Sequence, residues 1–365
     1  MWRIISVLFV LAAAAAGYYS GFIAADAAPK LVTPDEINNV EVRQKAARAV
    51  VTVVAKYPPE QLQPGEPAEG YSSGFFISPT LVVTNYHAID GAIGYSVILH
   101  DGTTRPVTIY NLDPGIDIAL LEVKGIKAPG VLRFGDSSSL VPGQKLIVLG
   151  SPNGYPNNMS VGVFSSFNRV EPPVDEIGTE IPRMILTDAN IQQGNSGGPI
   201  LDSRGNVVGV ADASIQNAVG TGGLLGLGIP AALVSQSVSD LQKFGSTQRG
   251  SLGQDVKLRD LSDIDPVFLK AVGLNSSNGA VVDSVPPGTP AARAGLRGSR
   301  RDPNSGKLTE IGDIILKVND KQVRDRYDVI QEVSRFRPGQ SVTLSLWRNN
   351  RPVTVKVAIT ARTAG

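Results

Sequence analysis

Between residues 50 and 240 the chain is cut into short apolar runs by glycine and proline, a pattern that few folds accept. Val50-Val51-Thr52-Val53-Val54 is β-branched and reads as a buried strand, 71–78 and 81–84 read as a hairpin around Pro79-Thr80, and 118–123 is a further apolar run. Many short strands with Gly- and Pro-marked turns predict a mostly β architecture of the kind that closes into barrels. Residues 57–70 carry Pro58, Pro59, Pro64 and Pro67, too many for a helix or a central strand, and are expected as an exposed excursion. Apolar spacing at Leu233, Val234, Val238 and Leu241 predicts a helix over 231–244 that ends this region.

Upstream of the strands, 28–49 reads as a linker and a short helix, with Thr33 as N-cap, Pro34 at the first helical position and Glu36 at the capping-box spacing. Residues 1–27 form a targeting segment: after Arg3 no charge appears until Asp26, and 4–17 is densely apolar. Ala25-Asp26-Ala27 offers a signal-peptide cleavage site, whereas the whole uncharged span 4–25 is long enough to be retained as a membrane tether. In both readings the bulk of the chain is exported. Glycines and tyrosines at 17–21 weaken the second half of the span and favour cleavage.

Chemistry concentrates at Gln193-Gly194-Asn195-Ser196-Gly197-Gly198-Pro199. Its glycines allow positive φ, so N–H groups around Ser196 can converge into an oxyanion hole, the loop Gly194-Asn195-Ser196. A plain glycine-rich turn with a capping serine fits the motif equally well; an upstream histidine and carboxylate decide. The chain has two histidines and no cysteine, which excludes a thiolate nucleophile, disulfides and thiolate metal sites and leaves little for a multi-histidine metal centre. His87 follows a strand and can reach a cleft, although an isolated histidine is commonly a satisfied core residue; His100 precedes the turn dipeptide Asp101-Gly102 and belongs at an exposed strand end. Asp117 stands at the mouth of the buried run 118–123 and is assigned as the carboxylate that orients His87. Its competitor, Asp113, sits in Asp113-Pro114-Gly115, where an aspartate bonds its own backbone. The order His87, Asp117, Ser196 is one of the known orders of a serine triad.

Thr84-Asn85-Tyr86-His87-Ala88, Asp117-Ile118-Ala119-Leu120-Leu121, Thr187-Asp188-Ala189 and Gly194-Asn195-Ser196-Gly197-Gly198-Pro199 together resemble the signature blocks of the HtrA (Deg) serine proteases. The resemblance implies a chymotrypsin-type double β-barrel over 50–244, with the triad between two six-stranded barrels. It also implies that loops at 168–183 and 213–230 form the specificity pocket and switch between ordered and disordered states. No Ile-Val-Gly-Gly segment follows a basic residue near the start of the domain, so zymogen cleavage is not indicated.

After the linker 245–250, Ser251-Leu252-Gly253-Gln254, Gly279-Ala280-Val281-Val282, Pro290 to Leu296 and Gly312-Asp313-Ile314-Ile315 resemble an α+β PDZ domain of the HtrA type, over 250–361. Residues 297–309 read as a solvated basic insertion, and 342–359 supplies alternating closing strands. By that resemblance Ser251, Leu252, Gly253 and Gln254 form the carboxylate-binding loop, 327–336 the groove helix, and an extended C-terminal peptide the ligand. Gln254 stands where an apolar residue is usual.

These readings converge on an exported serine endopeptidase. It would be periplasmic, or anchored in the inner membrane facing the periplasm, and would act on unfolded or damaged proteins. The resemblance implies a homo-trimer or higher oligomer, and the triad chemistry needs no metal or organic cofactor. A formal charge of +1 over 365 residues gives no nucleic-acid footprint. The alternatives are a holdase-type chaperone or PDZ scaffold with little proteolysis, for which a triad member should be missing, and an esterase, to which a peptide-capturing domain is of no use. Asn190-Ile191-Gln192-Gln193, before the oxyanion loop, contains no acid and so predicts cleavage after small or medium aliphatic residues.

Overall fold

The computed structural model describes residues 31–361 apart from 63, 64, 66, 152–157, 169–182, 217–223, 254, 275 and 277. The readings of 1–27 as a leader or tether, of 168–183 as a switching loop and of Gln254 as a pocket residue therefore fall wholly or largely outside the described residues. Among the described residues no helix is long and apolar enough to cross a membrane.

Helix α1 (Pro34–Ala46) starts as its sequence predicts. Thr33 Oγ1 accepts from Glu36 N (3.1 Å) and Glu36 Oε2 accepts from Thr33 N (2.9 Å), a reciprocal box that occupies two otherwise orphaned donors. These bonds hold the Glu36 carboxyl below its ordinary range.

Two closed six-stranded barrels follow, both antiparallel. The first is built from β1 (Val50–Lys56), β2 (Glu69–Phe76), β3 (Leu81–Asn85), β4 (Gly94–Ile98), β5 (Thr104–Asp113) and β6 (Ile118–Val123), closed in the order β1-β2-β3-β6-β5-β4. Val51, Val53, Phe76, Val82, Val97, Ala119 and Leu121 fill it. The second uses β7 (Lys145–Gly150), β8 (Asn158–Asn168), β9 (Met184–Thr187), β10 (Pro199–Leu201), β11 (Val207–Gln216) and β12 (Leu224–Pro230) in the order β10-β11-β12-β9-β8-β7. Closure removes the exposed edges that short strands would otherwise present.

The 213–230 stretch is not all loop, because its Gly-rich second half is strand β12. A Cβ on Gly228 would stand 2.2 Å from Ile200 Cδ1, and one on Gly226 would stand 2.8 Å from the Ala189 carbonyl oxygen. The glycines admit neighbours to a crowded strand; they do not mark a turn.

Helix α2 (Ala231–Phe244) ends on Gly245 at φ 70°. The stretch 250–361 holds β13 (Gly250–Ser251), which pairs with β22 (Thr360–Ala361), and the antiparallel sheet β14 (Lys257–Asp260), β15 (Ala280–Ser284), β18 (Ile314–Val318), β20 (Ser341–Arg348) and β21 (Arg351–Ala358) in that order, with the short β19 (Lys321–Gln322) also paired to β18. Helices α3 (Pro266–Ala271), α4 (Pro290–Arg293) and α5 (Arg326–Ser334) accompany it. Leu252, Val282, Ala291, Ile315, Val329 and Val333 share its core. The insertion at 297–309 carries part of a short exposed hairpin, β16 (Arg300–Arg301) with β17 (Leu308–Glu310).

Candidate active site

Strand β3 ends at Asn85, and the loop that follows delivers His87 to one face of Asp117. Asp117 caps a 3-10 turn, Pro114–Ile116, in the left-handed region at φ 55°, uncommon for a residue with a Cβ. That backbone strain is balanced by bonds on every side. Its carbonyl accepts from Tyr86 N (3.1 Å) and Asn85 Nδ2 (3.0 Å), while Oδ1 accepts from His87 N (2.8 Å). Oδ2 pairs with His87 Nδ1 at 2.7 Å, which fixes the proton on Nδ1 and leaves Nε2 as the basic nitrogen. Asp117 is buried, whereas His87 is partly open to solvent.

The second barrel supplies Ser196. Gly194 stands at φ 91° in a turn closed by Asn195 N donating to Gln192 O at 2.9 Å, and Gly197 stands at φ 83°. A Cβ on Gly197 would lie 2.2 Å from the Ser73 carbonyl oxygen, so the loop passes where only glycine fits. Ser73, on β2 of the other barrel, ties the loop down: its Oγ donates to Gly194 O (2.6 Å) and accepts from Ser151 N (2.8 Å), and its own N–H donates to Ser196 O (2.8 Å). Gly197 N donates to Ala211 O at 2.8 Å. The Asn195 amide is thus engaged, while among the described residues no carbonyl accepts from Gly194 N–H or Ser196 N–H. Ser196 Oγ donates to the main-chain carbonyl of Asp212 at 2.5 Å.

Asp212 was not anticipated from sequence. It is buried on β11, and its Oδ1 lies 3.9 Å from His87 Nδ1. An aspartate directly after the apolar run Val207-Val208-Gly209-Val210-Ala211 was the available signal, since a buried strand seldom carries an acid without a reason. The cluster His87, Asp117 and Asp212 brings one imidazole nitrogen and two carboxylates within 4.8 Å of one another.

A model of the trypsin-like peptidase domain matches residues 72–210 and a model of the PDZ domain matches residues 250–359. A probable periplasmic serine endoprotease DegP-like of Bartonella henselae is 33% identical over 293 residues, 79% of this chain and 53% of that protein. The chain therefore spans about half the length of that curated relative. A solved structure described as HtrA-type protease AlgW with tripeptide superposes with a TM-score of 0.70 at 26% identity, over 89% of this chain and 97% of that one. Protease Do-like 1, chloroplastic, of Arabidopsis thaliana is 30% identical over 360 residues, 97% of this chain and 79% of that protein. The chain belongs to the HtrA (Deg) family of serine proteases.

In this HtrA-family chain Asp113 is not the self-bonded turn residue its dipeptide predicts. Its buried carboxylate pairs with Arg249 from the segment before β13 and accepts from Ser237 Oγ at 2.5 Å, and it makes no side-chain cap. A partner more than a hundred positions away overrides the local turn chemistry. His100 lies exposed in the turn between β4 and β5. At the PDZ end, Ser251 Oγ and Gly253 exchange bonds of 3.1 and 3.2 Å, Ala291 N donates to Leu252 O (3.0 Å), and Gly253 at φ 140° leaves a Cβ only 2.6 Å from Thr289 Cβ. Asn190, Gln192 and Gln193 are exposed and Ile191 is buried.

Arg183, just before β9, reaches helix α5: its guanidinium lies 3.0 Å from Asp325 and 2.7 Å from Asp328. Burial pushes the Asp328 carboxyl up, but bonds from Arg324 and the charge of Arg183 outweigh it and hold it below the ordinary carboxylate range.

Proposed function

We propose that this chain is an exported serine endopeptidase that hydrolyses unfolded or damaged proteins by an acyl-enzyme route. The observation that carries the reading is the two-point clamp of Asp117 on His87, with Asp212, whose carbonyl receives the Ser196 hydroxyl, placing its carboxylate 3.9 Å from the same ring. Ser196 Oγ, turning from the Asp212 carbonyl, attacks the scissile carbonyl carbon as its proton passes to His87 Nε2. Asp117 holds the Nδ1 proton and stabilises the imidazolium that forms. Gly194 N–H and Ser196 N–H take the oxyanion, and the Ser73 bonds that orient the loop keep those donors aimed before substrate arrives. The imidazolium then protonates the leaving amine, and water repeats the sequence on the acyl-enzyme.

The division proposed is 1–27 leader or tether, 28–49 linker and helix, 50–244 protease, and 250–361 PDZ. Export to the periplasm is supported by the printed name of the Bartonella relative. A peptide with a free C-terminus would dock at Ser251, Leu252, Gly253 and Gln254, and assembly into a trimer or higher oligomer follows the family. Absence of an acid in 190–193 supports cleavage after Val, Ala or Ile. Incubation of unfolded casein with wild type and with Ser196→Ala, read on a gel beside fluorophosphonate labelling, tests the core of the reading. Both cleavage and labelling should vanish in the variant with little change in thermal midpoint; labelling that persists places the nucleophile elsewhere.

A further inference from the structure

We infer that Asp212 is a second carboxylate partner of the proposed catalytic base, a positioning residue that favours the imidazolium form of His87. The inference rests on the triad reading above. Asp212 lies in a register shift of the β11–β12 pairing, between Ala211 and Ser214, and such a bulge re-aims a side chain that regular pleating would send elsewhere. Two parts of the residue then meet the triad. Its main-chain carbonyl accepts the Ser196 hydroxyl, and its carboxylate stands 3.9 Å from His87 Nδ1 with its side chain 8% exposed.

His87 Nδ1 carries one proton, and Asp117 at 2.7 Å accepts its hydrogen bond. Asp212 therefore acts on the ring through charge. Two buried carboxylates this close repel one another, and what relieves them is a cation between: the imidazolium that exists once Ser196 has given up its proton. The same arrangement has a cost at rest, because it draws a proton from solvent onto Nε2 and removes the free base. Asp212 should thus strengthen the proton-transfer step and raise the pH at which the enzyme becomes competent.

Among the described residues, the other titratable groups near the ring do not supply this effect. Tyr86, next to His87, donates to Asp90 at 2.7 Å, which with burial holds its phenol above the ordinary value. Tyr57 donates to Ala88 O, and burial raises it likewise. Both phenols stay neutral where a histidine titrates, and Asp90 is engaged with Tyr86. Asp117 remains in any Asp212 variant, so the two carboxylates can be separated.

Two histidines in the whole chain make the test direct. With histidine ring nitrogens labelled by 15N, an NMR titration reads His87 against exposed His100 as internal control. In Asp212→Asn the His87 midpoint should move to lower pH while that of His100 stays, and the acid limb of kcat/KM on unfolded casein should move down with it. Asp212→Glu should restore most of the wild-type midpoint, which a packing role would not require. Should the Asn variant not fold, Asp212→Ser makes the same comparison without charge. An unmoved His87 midpoint in a folded, uncharged variant overturns the inference, even if activity falls. That outcome is distinct from failure of the triad reading, which would appear as fluorophosphonate labelling that survives Ser196→Ala.

Discussion

The two barrels hold their shares of the site by different means. The first secures His87 and Asp117 with hydrogen bonds from residues 85–87 onto a single turn, so its half of the site is complete within one short neighbourhood. The second presents Ser196 on a glycine loop whose shape depends on Ser73 reaching across from the first barrel. The charge-bearing half is thus locally determined and should keep its shape under isosteric change, whereas the half that carries the proposed nucleophile is itself a shape, sensitive to a single added carbon and to a partner on another barrel.

The largest effect expected is electrostatic. Asp117→Asn keeps an acceptor for His87 N–H but presents an amide to Nδ1, favouring the wrong tautomer, and kcat should fall by about four orders of magnitude. Because the variant is isosteric, circular dichroism and pH-jump refolding should match wild type. A comparable loss of fold would show that Asp117 holds the turn as well as the ring and would weaken the contrast between barrels.

Next comes the shape of the other half. Gly197→Ala places a Cβ against the Ser73 carbonyl at 2.2 Å and asks alanine to hold φ 83°. Labelling of Ser196 should slow by about a hundredfold or more, the scale of a lost oxyanion donor, and thermal stability should drop too. Ser73→Ala should be milder. It leaves Gly194 O and Ser151 N without their buried partner, at about 1–3 kcal/mol of stability read by urea melts, with a roughly tenfold lower kcat and an unchanged KM. A KM effect of the same size would move Ser73 from loop positioning to substrate binding.

What could be read from sequence follows the same division. His87, Asp117 and Ser196 stood out because each is flanked by residues that build its own local frame, and the strand pattern from Val50 onward pointed to a mostly β region through its turn chemistry, with the double barrel implied by the resemblance. Long-range partners left no such trace. Asp113 looked like a turn residue until Arg249 and Ser237 met it, Gly226 and Gly228 looked like a loop until Ile191 and Ile200 filled the space beside them, and Asp212 needed the β11 bulge to face His87. Composition and spacing encode what a segment can do by itself; which distant side chain it meets is decided by closure of the barrel.

The smallest predicted effect asks whether the barrel of the proposed nucleophile is also the one that hears the PDZ domain. Arg183 leads into β9, and its ion pairs end on Asp325 and Asp328 at the start of α5, the helix proposed to flank the peptide groove. Partly buried and paired with two acids, it can carry a small difference in free energy between states, and a ligand alters activity only through such a difference. Arg183→Ala should leave basal casein hydrolysis within about twofold and change stimulation by a peptide ending in a free carboxylate by about fivefold, the lower range of allosteric couplings. Acid offers a second route to the same contact. The folded Asp328 carboxyl is held below its ordinary value, so its contribution is present above the unfolded value and is lost as pH falls through the folded one. Peptide response should accordingly persist through mildly acidic buffer and fade only in stronger acid. Truncation after Phe244 should keep basal hydrolysis and abolish stimulation. Stimulation that survives the truncation would place the sensor within the barrels themselves, and Arg183 would then be a tether with no message to carry.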